Sequence, residues 1–187
     1  MEKIGVLALQ GSFAEHLQIL GRIPGIEATA VKTIDELNAV DRLILPGGES
    51  TAIGKLLVKT GMFPVLRQRI GEGLPVWGTC AGLILLAHEI VGETPYLDVM
   101  NITVRRNAYG SQLDSFCCEQ IIPAFGSDPL PLVFIRAPWI EKAGQEVEVL
   151  AGHDGRIIAA KQGRLLVTSF HPELTDDKKV YNYFLRL

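Results

Sequence analysis

The sequence contains little cysteine: Cys80, Cys117 and Cys118 are its only three. Secreted disulfide frameworks use more cysteines in even number, so this odd, sparse set favours a reducing compartment. Neither a histidine nor a Cys-x-x-Cys pair lies beside Cys117 and Cys118, so a metal site has little support. We therefore expect the protein to bind no metal.

Basic clusters and long apolar runs are also missing. The net charge is −3 at pH 7, without a stripe of lysine and arginine, which disfavours nucleic acid and anionic membranes as partners. The first residues lack the basic start of a signal peptide, and no apolar run reaches the roughly 18 residues of a membrane span. These absences predict a cytoplasmic protein with no nucleic-acid or membrane partner.

Apolar residues are plentiful enough for one core. The chain has 187 residues, of which 48% are hydrophobic and 21% charged, as in ordinary soluble globular proteins. This length suits one well-buried domain better than two, and the sequence contains no internal repeat, low-complexity tract or linker. We expect a single domain over residues 1–187.

Strands and helices alternate in the first half. Near-continuous apolar strands separated by helices predict a parallel sheet that is covered on both faces. Ser12 with Glu15 three residues later is a capping pattern for the first helix, which should run to about residue 22. The strands are expected at 4–9, 26–31, 42–45 and 75–77, and the other helices at 35–39, 51–58 and 63–70.

The second half is richer in strands. Turn signals at Asp154-Gly155 and Gln162-Gly163 predict hairpins. A final helix is expected over 176–187, and strands at 99–104, 116–122, 132–135, 147–151, 156–160 and 165–170.

The segment Gly78-Thr79-Cys80-Ala81-Gly82 stands between a predicted strand and a helical run that begins at Leu83. A side chain at the tip of a tight strand-to-helix turn needs small residues on both sides, so the pattern predicts a nucleophile elbow. The helix N-terminus should favour the Cys80 thiolate and direct backbone N–H groups at an oxyanion. The alternative is a buried structural cysteine.

A nucleophilic thiol needs a base, and the base needs a group that orients it. His171 follows the strand at 165–170, so His171 and Cys80 should meet at the carboxyl edge of the sheet. Glu173, two residues on, can accept from the imidazole N–H. A plain exit from the strand is the alternative. Surface or structural positions are expected for His16, His88 and His153.

A third segment, Pro46 to Thr51, carries two glycines directly after a strand. Its spacing does not fit a phosphate-binding loop. The N–H of Gly48, opposite that of Ala81, can serve the oxyanion, and Glu49 can bind a substrate ammonium. The alternative is a tight turn into a helix capped by Ser50.

Together these three segments resemble the class I glutamine amidotransferases, which use a Cys-His-Glu triad. Further motifs resemble the glutaminase subunits of pyridoxal 5'-phosphate synthases within that family. They are Ala8-Leu9-Gln10-Gly11, Arg105-Arg106-Asn107-Ala108-Tyr109-Gly110, Phe134-Ile135-Arg136-Ala137-Pro138 and His171-Pro172-Glu173-Leu174-Thr175.

The resemblance implies a three-layer α/β fold and hydrolysis of L-glutamine to L-glutamate and ammonia through a thioester on Cys80. It implies no cofactor. Because a glutaminase domain would account for all 187 residues, the ammonia acceptor is expected on another chain, the lyase subunit of a pyridoxal 5'-phosphate synthase, in a hetero-oligomer. The glutamine site would be lined by Gly47, Gly48, Glu49, Arg106, Ile135 and Arg136.

Other functions stay open at this point. The glutaminase subunit of a different amidotransferase would share the triad. A cysteine peptidase or a thiol-stress protein with an elbow would share Cys80 without needing the glutamine-binding set, and a binding module would keep the fold with an inert thiol.

Overall fold

The computed structural model describes residues 1–106 and 115–187, and residues 107–110 of the arginine-containing motif lie outside them. Within the described ranges, ten strands form one sheet and two more form a hairpin. The strands are β1 Glu2–Leu7, β2 Ile26–Val31, β3 Arg42–Leu45, β4 Val76–Thr79, β5 Ala87–Ile90, β6 Met100–Arg105, β7 Ser115–Gln120, β8 Leu130–Ile135, β9 Trp139–Ala143, β10 Glu148–His153, β11 Arg156–Gln162 and β12 Leu165–Thr168. The helices are α1 Phe13–Leu20, α2 Ile34–Asn38, α3 Ser50–Lys59, α4 Met62–Gly71, α5 Ala81–Leu86 and α6 Lys179–Phe184.

The sheet has the order β2-β1-β3-β4-β12-β11-β9-β6-β5, with β10 paired to β11. Its first five strands run parallel. Antiparallel pairing begins at β11, which forms one hairpin with β10 and another with β12. The two turns follow His153 and Gln162, at the two predicted positions. The prediction of a mainly parallel central sheet is confirmed, and β4 and β12 lie side by side in it.

Apolar residues alternate between two cores on opposite faces of this sheet. In β3, Leu43 and Leu45 pack with α3, α4 and α5, whereas Ile44 packs with α1 and α6 on the other face. In β4, Val76 and Trp77 divide in the same way. The alternation of strand side chains therefore produces three layers, helix, sheet and helix, as predicted.

The structure corrects several predicted bounds. The sequence predicts neither β5 nor β9. Strand β5 has the sequence Ala-His-Glu-Ile, which is not an apolar run, and it continues directly from α5 with no turn residue before it. The last helix is only α6, preceded by a 3-10 turn over Pro172–Leu174. Ser12 stands before α1, but its side chain caps nothing there. A capping box forms instead at Thr33 and Glu36.

Candidate active site

Cys80 occupies a strained turn between β4 and α5, with φ 48° and ψ −100°. A Cβ atom on Gly78 would lie 2.5 Å from the carbonyl of Gly82, and one on Gly82 would overlap the carbonyl oxygen of Leu45. The glycines on both sides are therefore required by close backbone packing, as the elbow motif predicts. Strain at a single nucleophilic residue is characteristic of functional sites.

His171 follows β12 and faces the same edge of the sheet. Its backbone N–H donates to the Val133 carbonyl at 2.8 Å, which fastens the turn to β8. Nδ1 lies 2.7 Å from Oε1 of Glu173, and both side chains are buried. Burial opposes the charged ring, but hydrogen bonds and attraction from Cys80 and Glu173 raise the pKa of His171 to about 10.

Glu173 is held in its ionised form inside the protein. Burial disfavours the carboxylate, but interactions with His16, His171 and Ser12 outweigh it and lower the pKa of Glu173 to about 2. Ser12 donates from Oγ to Oε1 at 2.7 Å. The expectation that Ser12 caps α1 is wrong: its backbone, with φ −82° and ψ 41°, is outside the extended conformation of an N-cap, and its oxygen accepts from no N–H of the helix.

One cavity of about 510 Å³ is lined by all ten residues that the sequence predicts for the active site. A hollow of about 450 Å³ at the opposite, amino edge of the strands carries Arg67 and Arg164, and no nucleophile lines it. The two cavities are similar in volume, so the residues that line them, and not their size, identify the candidate active site. The ten residues are Gly47, Gly48, Glu49, Cys80, Ala81, Arg106, Ile135, Arg136, His171 and Glu173.

Gly48 and Ala81 line the same cavity as Cys80. Ala81 is the first residue of α5, where backbone N–H groups have no acceptor within the helix. Gly48 packs on the loop after β1: a Cβ on it would lie 2.6 Å from Oε1 of Gln10. The same Gln10 oxygen accepts from the N–H of Glu49 at 2.8 Å.

Glu49 both caps α3 and pairs with Arg106. Its carboxylate accepts from the N–H groups of Thr51 and Ala52 and lies 2.8 Å from Nη2 of Arg106. Burial opposes ionisation, but these amide and guanidinium hydrogen bonds lower the pKa of Glu49. The alternative of a helix capped by Ser50 is wrong, since Ser50 is already the first residue of α3.

Arg106 has a second carboxylate partner that the sequence did not reveal. Its Nη1 lies 2.8 Å from Glu93 and 3.2 Å from Oγ1 of Thr51. Glu93 stands in a turn with no motif around it, so only the folded structure brings it to the site. Two carboxylates therefore fix the guanidinium at the cavity wall.

The remaining predicted residues form the outer rim. Ile135 ends β8 and is 38% exposed, so it offers apolar surface at the mouth of the cavity. Arg136 follows with φ 43°, in the left-handed region that a non-glycine residue rarely adopts. Such a conformation at a cavity rim is consistent with a functional constraint.

The other three histidines do not reach the cavity. His88 is exposed and lies 2.5 Å from Asp98, and His153 stacks on Phe116. His16 is fully buried in α1. The prediction of surface or structural positions is therefore confirmed for all three histidines.

Comparison with known proteins identifies the group to which the chain belongs. The model of the SNO glutamine amidotransferase family matches residues 6–187. The chain is a member of the SNO glutamine amidotransferase family.

Full-length relatives of this SNO family member are similar throughout. It is 53% identical over 186 residues to pyridoxal 5'-phosphate synthase subunit PdxT of Thermoanaerobacter pseudethanolicus, covering 99% of this chain and 98% of the relative. The protein of that name from Herpetosiphon aurantiacus is 52% identical over 189 residues, covering 98% and 99%. A crystal structure of a glutamine amidotransferase superposes with a TM-score of 0.91 at 47% identity, covering 98% of this chain and 97% of that one.

Residues 1–106 and 115–187 contain no group of three or more His, Cys, Asp or Glu side chains arranged to hold a metal. In the same ranges every helix is too short or too polar to cross a bilayer.

Proposed function

We propose that this protein is the glutaminase subunit of a pyridoxal 5'-phosphate synthase and that Cys80, His171 and Glu173 are its catalytic triad. The observation that carries the proposal is the strained cysteine facing a buried His171–Glu173 pair in one cavity. Relatives at half identity over their full length bear the name of that synthase subunit, which supports the assignment to vitamin B6 biosynthesis.

In the proposed reaction the Cys80 thiolate attacks the side-chain carbonyl carbon of L-glutamine. The carbonyl oxygen becomes an oxyanion, held by the N–H groups of Gly48 and Ala81. His171 gives its proton to the departing nitrogen, which leaves as ammonia, and a thioester remains. Water then loses a proton to His171 and attacks the thioester, which releases L-glutamate and restores the thiolate.

Glu173 keeps His171 in the orientation and tautomer that both steps need. The raised pKa of His171, about 10, suits the first step because the ring is protonated at neutral pH. No cofactor takes part in this scheme.

Glutamine recognition is assigned to the wall and rim of the cavity. The substrate brings an α-ammonium and an α-carboxylate, which require groups of both signs. Glu49 supplies an anion at the cavity wall, and Arg106 and Arg136 supply cations. Gly47 leaves room, because a Cβ on it would lie 2.5 Å from the His171 ring. Ile135 covers the aliphatic part of the substrate.

The ammonia is proposed to pass to a separate synthase subunit in a hetero-oligomer. We infer that residues 1–187 are one glutaminase domain and that the complex works in the cytoplasm. The relatives' own name describes a subunit, which supports an acceptor site on a partner chain.

Ammonia release from L-glutamine, measured with and without the synthase subunit, tests the proposal. We expect turnover that Cys80→Ala abolishes, and faster alkylation of Cys80 by a glutamine-like electrophile than by iodoacetamide. Peptide cleavage without glutamine turnover would indicate a cysteine peptidase. Ammonia release that depends on a different partner enzyme would indicate another amidotransferase.

A further inference from the structure

Beneath the triad, on the side away from the cavity, lies a row of buried polar groups that the proposed reaction does not use. His16 of α1 and Tyr181 of α6 are both fully buried. The Tyr181 hydroxyl lies 2.7 Å from Nδ1 of His16. Nε2 of His16 lies 3.3 Å from Oγ1 of Thr79 and 3.5 Å from Oε2 of Glu173. The row therefore runs from the last helix to the triad carboxylate.

The direction of these contacts follows from which groups hold protons. Burial, with the nearby charge of Glu173, raises the pKa of Tyr181 above its usual range, so its hydroxyl keeps a proton that it can donate to Nδ1. Burial lowers the pKa of His16 to about 4, although Glu173 and Glu15 favour the charged ring and His171 disfavours it. A neutral imidazole has one N–H, and a lone pair on Nε2 would be repelled by the Glu173 carboxylate 3.5 Å away. The proton therefore belongs on Nε2, and Nδ1 accepts from the Tyr181 hydroxyl.

The N–H of His16 thus lies between two oxygens: Oγ1 of Thr79, with which Nε2 forms a hydrogen bond of 3.3 Å, and Oε2 of Glu173 at 3.5 Å, which lacks a donor in the described ranges. Oε1 of Glu173 accepts from His171 and Ser12, whereas Oε2 has no hydrogen-bond partner among the described residues. A separation of 3.5 Å is longer than an ordinary hydrogen bond, so the contact is the attraction of an N–H dipole to a charge. In a buried site such attraction is weakly screened.

We propose that His16 and Tyr181 are positioning residues for Glu173: Tyr181 keeps the His16 proton on Nε2, and this N–H holds the second carboxylate oxygen so that the first stays directed at His171. The inference rests on the proposed glutaminase function. It also gives α6 a role in the chemistry, because Tyr181 is the only polar contact between that helix and the triad row in the described ranges.

Tyr181→Phe tests the proposal with little change in shape. Phenylalanine keeps the edge contact with Trp77, whose ring centroid is 5.0 Å away, and removes only the hydroxyl. Glutamine hydrolysis is measured with the synthase subunit present. We expect kcat to fall about tenfold with KM within about twofold, because the lost contact acts on the chemical step. A change in kcat below twofold contradicts the proposal.

Two substitutions of His16 distinguish the contribution of its N–H group to kcat from the contribution of the ring as a whole. His16→Gln keeps an N–H donor near the position of Nε2, and His16→Leu removes it. We expect the leucine variant to lose at least as much kcat as Tyr181→Phe and the glutamine variant to recover most of it. Equal losses in both variants contradict the proposal.

Phe184→Leu is the matched control for packing. Phe184 is also fully buried on α6 and contacts Trp77, but its side chain has no polar group that could join the polar row. We expect this variant to lower the unfolding temperature without changing kcat. A loss of kcat equal to that of Tyr181→Phe would assign the effect to the packing of α6 and overturn the proposal.

A double-mutant cycle shows whether the two residues act through Glu173. In a Glu173→Gln background, Tyr181→Phe should change kcat by less than about twofold, because the carboxylate it positions is gone. The full tenfold loss in that background would show that Tyr181 acts by another route, and it would contradict the proposal.

A spectroscopic measurement keeps this inference separate from the proposed function. The ¹⁵N shifts of labelled histidine should show His16 as a neutral ring with the proton on Nε2, and as a mixture of tautomers in Tyr181→Phe. A wild-type protein that releases no ammonia would contradict the proposed function, and the ¹⁵N shifts would still decide the inference. A proton on Nδ1 in the wild type overturns it.

Discussion

The hydroxyl of Ser12 and the imidazole of His171 donate to the same oxygen of Glu173, each at 2.7 Å. Ser12 therefore restrains the carboxylate from the side of α1, while His171 restrains it from the turn after β12. A shared acceptor of this kind fixes the plane of the carboxylate and with it the orientation of the ring that it holds.

Ser12→Ala should lower kcat about fivefold with little change in KM, the effect of one buried hydrogen bond to a charged group. Steady-state glutamine hydrolysis is the measurement, and Ser127→Ala in an exposed loop is the control. An unchanged kcat would show that His171 alone suffices to hold Glu173.

Ser12 also shows where reasoning from sequence stops. The pattern Ser12 with Glu15 matches a local capping signal, but the partner of the hydroxyl is 161 residues away in the chain. No local pattern contains that contact. Glu93, which pairs with Arg106, is a similar case, because it meets its partner only after folding.

The triad, by contrast, could be predicted because its positions follow from topology. Parallel strands bring their carboxyl ends to one edge, so residues after β4 and β12 must lie close together. Cys80 and His171 follow those two strands, which pair directly. Strand β5 could not be predicted, because the chain passes from helix to strand at Ala87 without a turn residue.

Cys80→Ala should abolish glutamine hydrolysis and leave the fold intact. Cys80 has φ 48°, so alanine keeps the strain of the turn and glycine relieves it. We expect Cys80→Gly to be about 1 kcal/mol more stable than Cys80→Ala in denaturant unfolding. Cys117→Ser and Cys118→Ser are the controls and should turn over glutamine normally. Residual turnover near the wild-type rate in Cys80→Ala would remove the thiol from the mechanism.

His171→Ala and Glu173→Gln should differ in severity. The first removes the group that transfers both protons, so turnover should fall to background. The second keeps the imidazole and loses only orientation and charge, so some activity should remain. Rapid-quench measurements of the rates of thioester formation and breakdown show which of the two variants is more severely impaired. If Glu173→Gln behaves like a surface substitution, Glu173 does not act on His171.

His16 should make the protein less stable in mild acid. Its pKa is about 4 when folded and near 6.5 when unfolded, so unfolding takes up a proton between these values and stability falls as pH decreases. From pH 6.5 to 4.5, His171 contributes a constant amount, because its raised pKa matters only above about 6.5. The contribution of Glu173 is lost mainly below about pH 4.5.

His16→Gln should therefore lose about 2 kcal/mol less free energy of unfolding than the wild type over this interval. Urea unfolding at pH 6.5 and 4.5 for both proteins measures the difference. Equal losses would mean that His16 is not held neutral by burial. The comparison uses the change with pH, so a uniform loss of stability in the variant does not affect it.

The loop after β1 should control turnover in response to the synthase subunit. Gly11 has φ +103°, and a Cβ on it would overlap the carbonyl oxygen of Gly47, so the loop is closely packed on the oxyanion segment. The N–H of Ser12 donates to that same carbonyl at 2.9 Å. A change in this loop would therefore move Gly47 and Gly48 directly.

Free ammonia is mostly protonated near neutral pH, so an uncoupled glutaminase would waste glutamine. We expect ammonia production by the isolated chain to be low and to rise about tenfold during a titration with the synthase subunit, the usual scale of coupling between sites. Gly11→Ala should prevent this rise, because the added methyl group cannot fit against Gly47. Gly25→Ala is the matched control, since Gly25 also has a positive φ, +82°, and nothing lies within 4 Å of its added Cβ. A rate that is already maximal in the isolated chain and flat throughout the titration would rule out control by this loop and leave the triad unaffected.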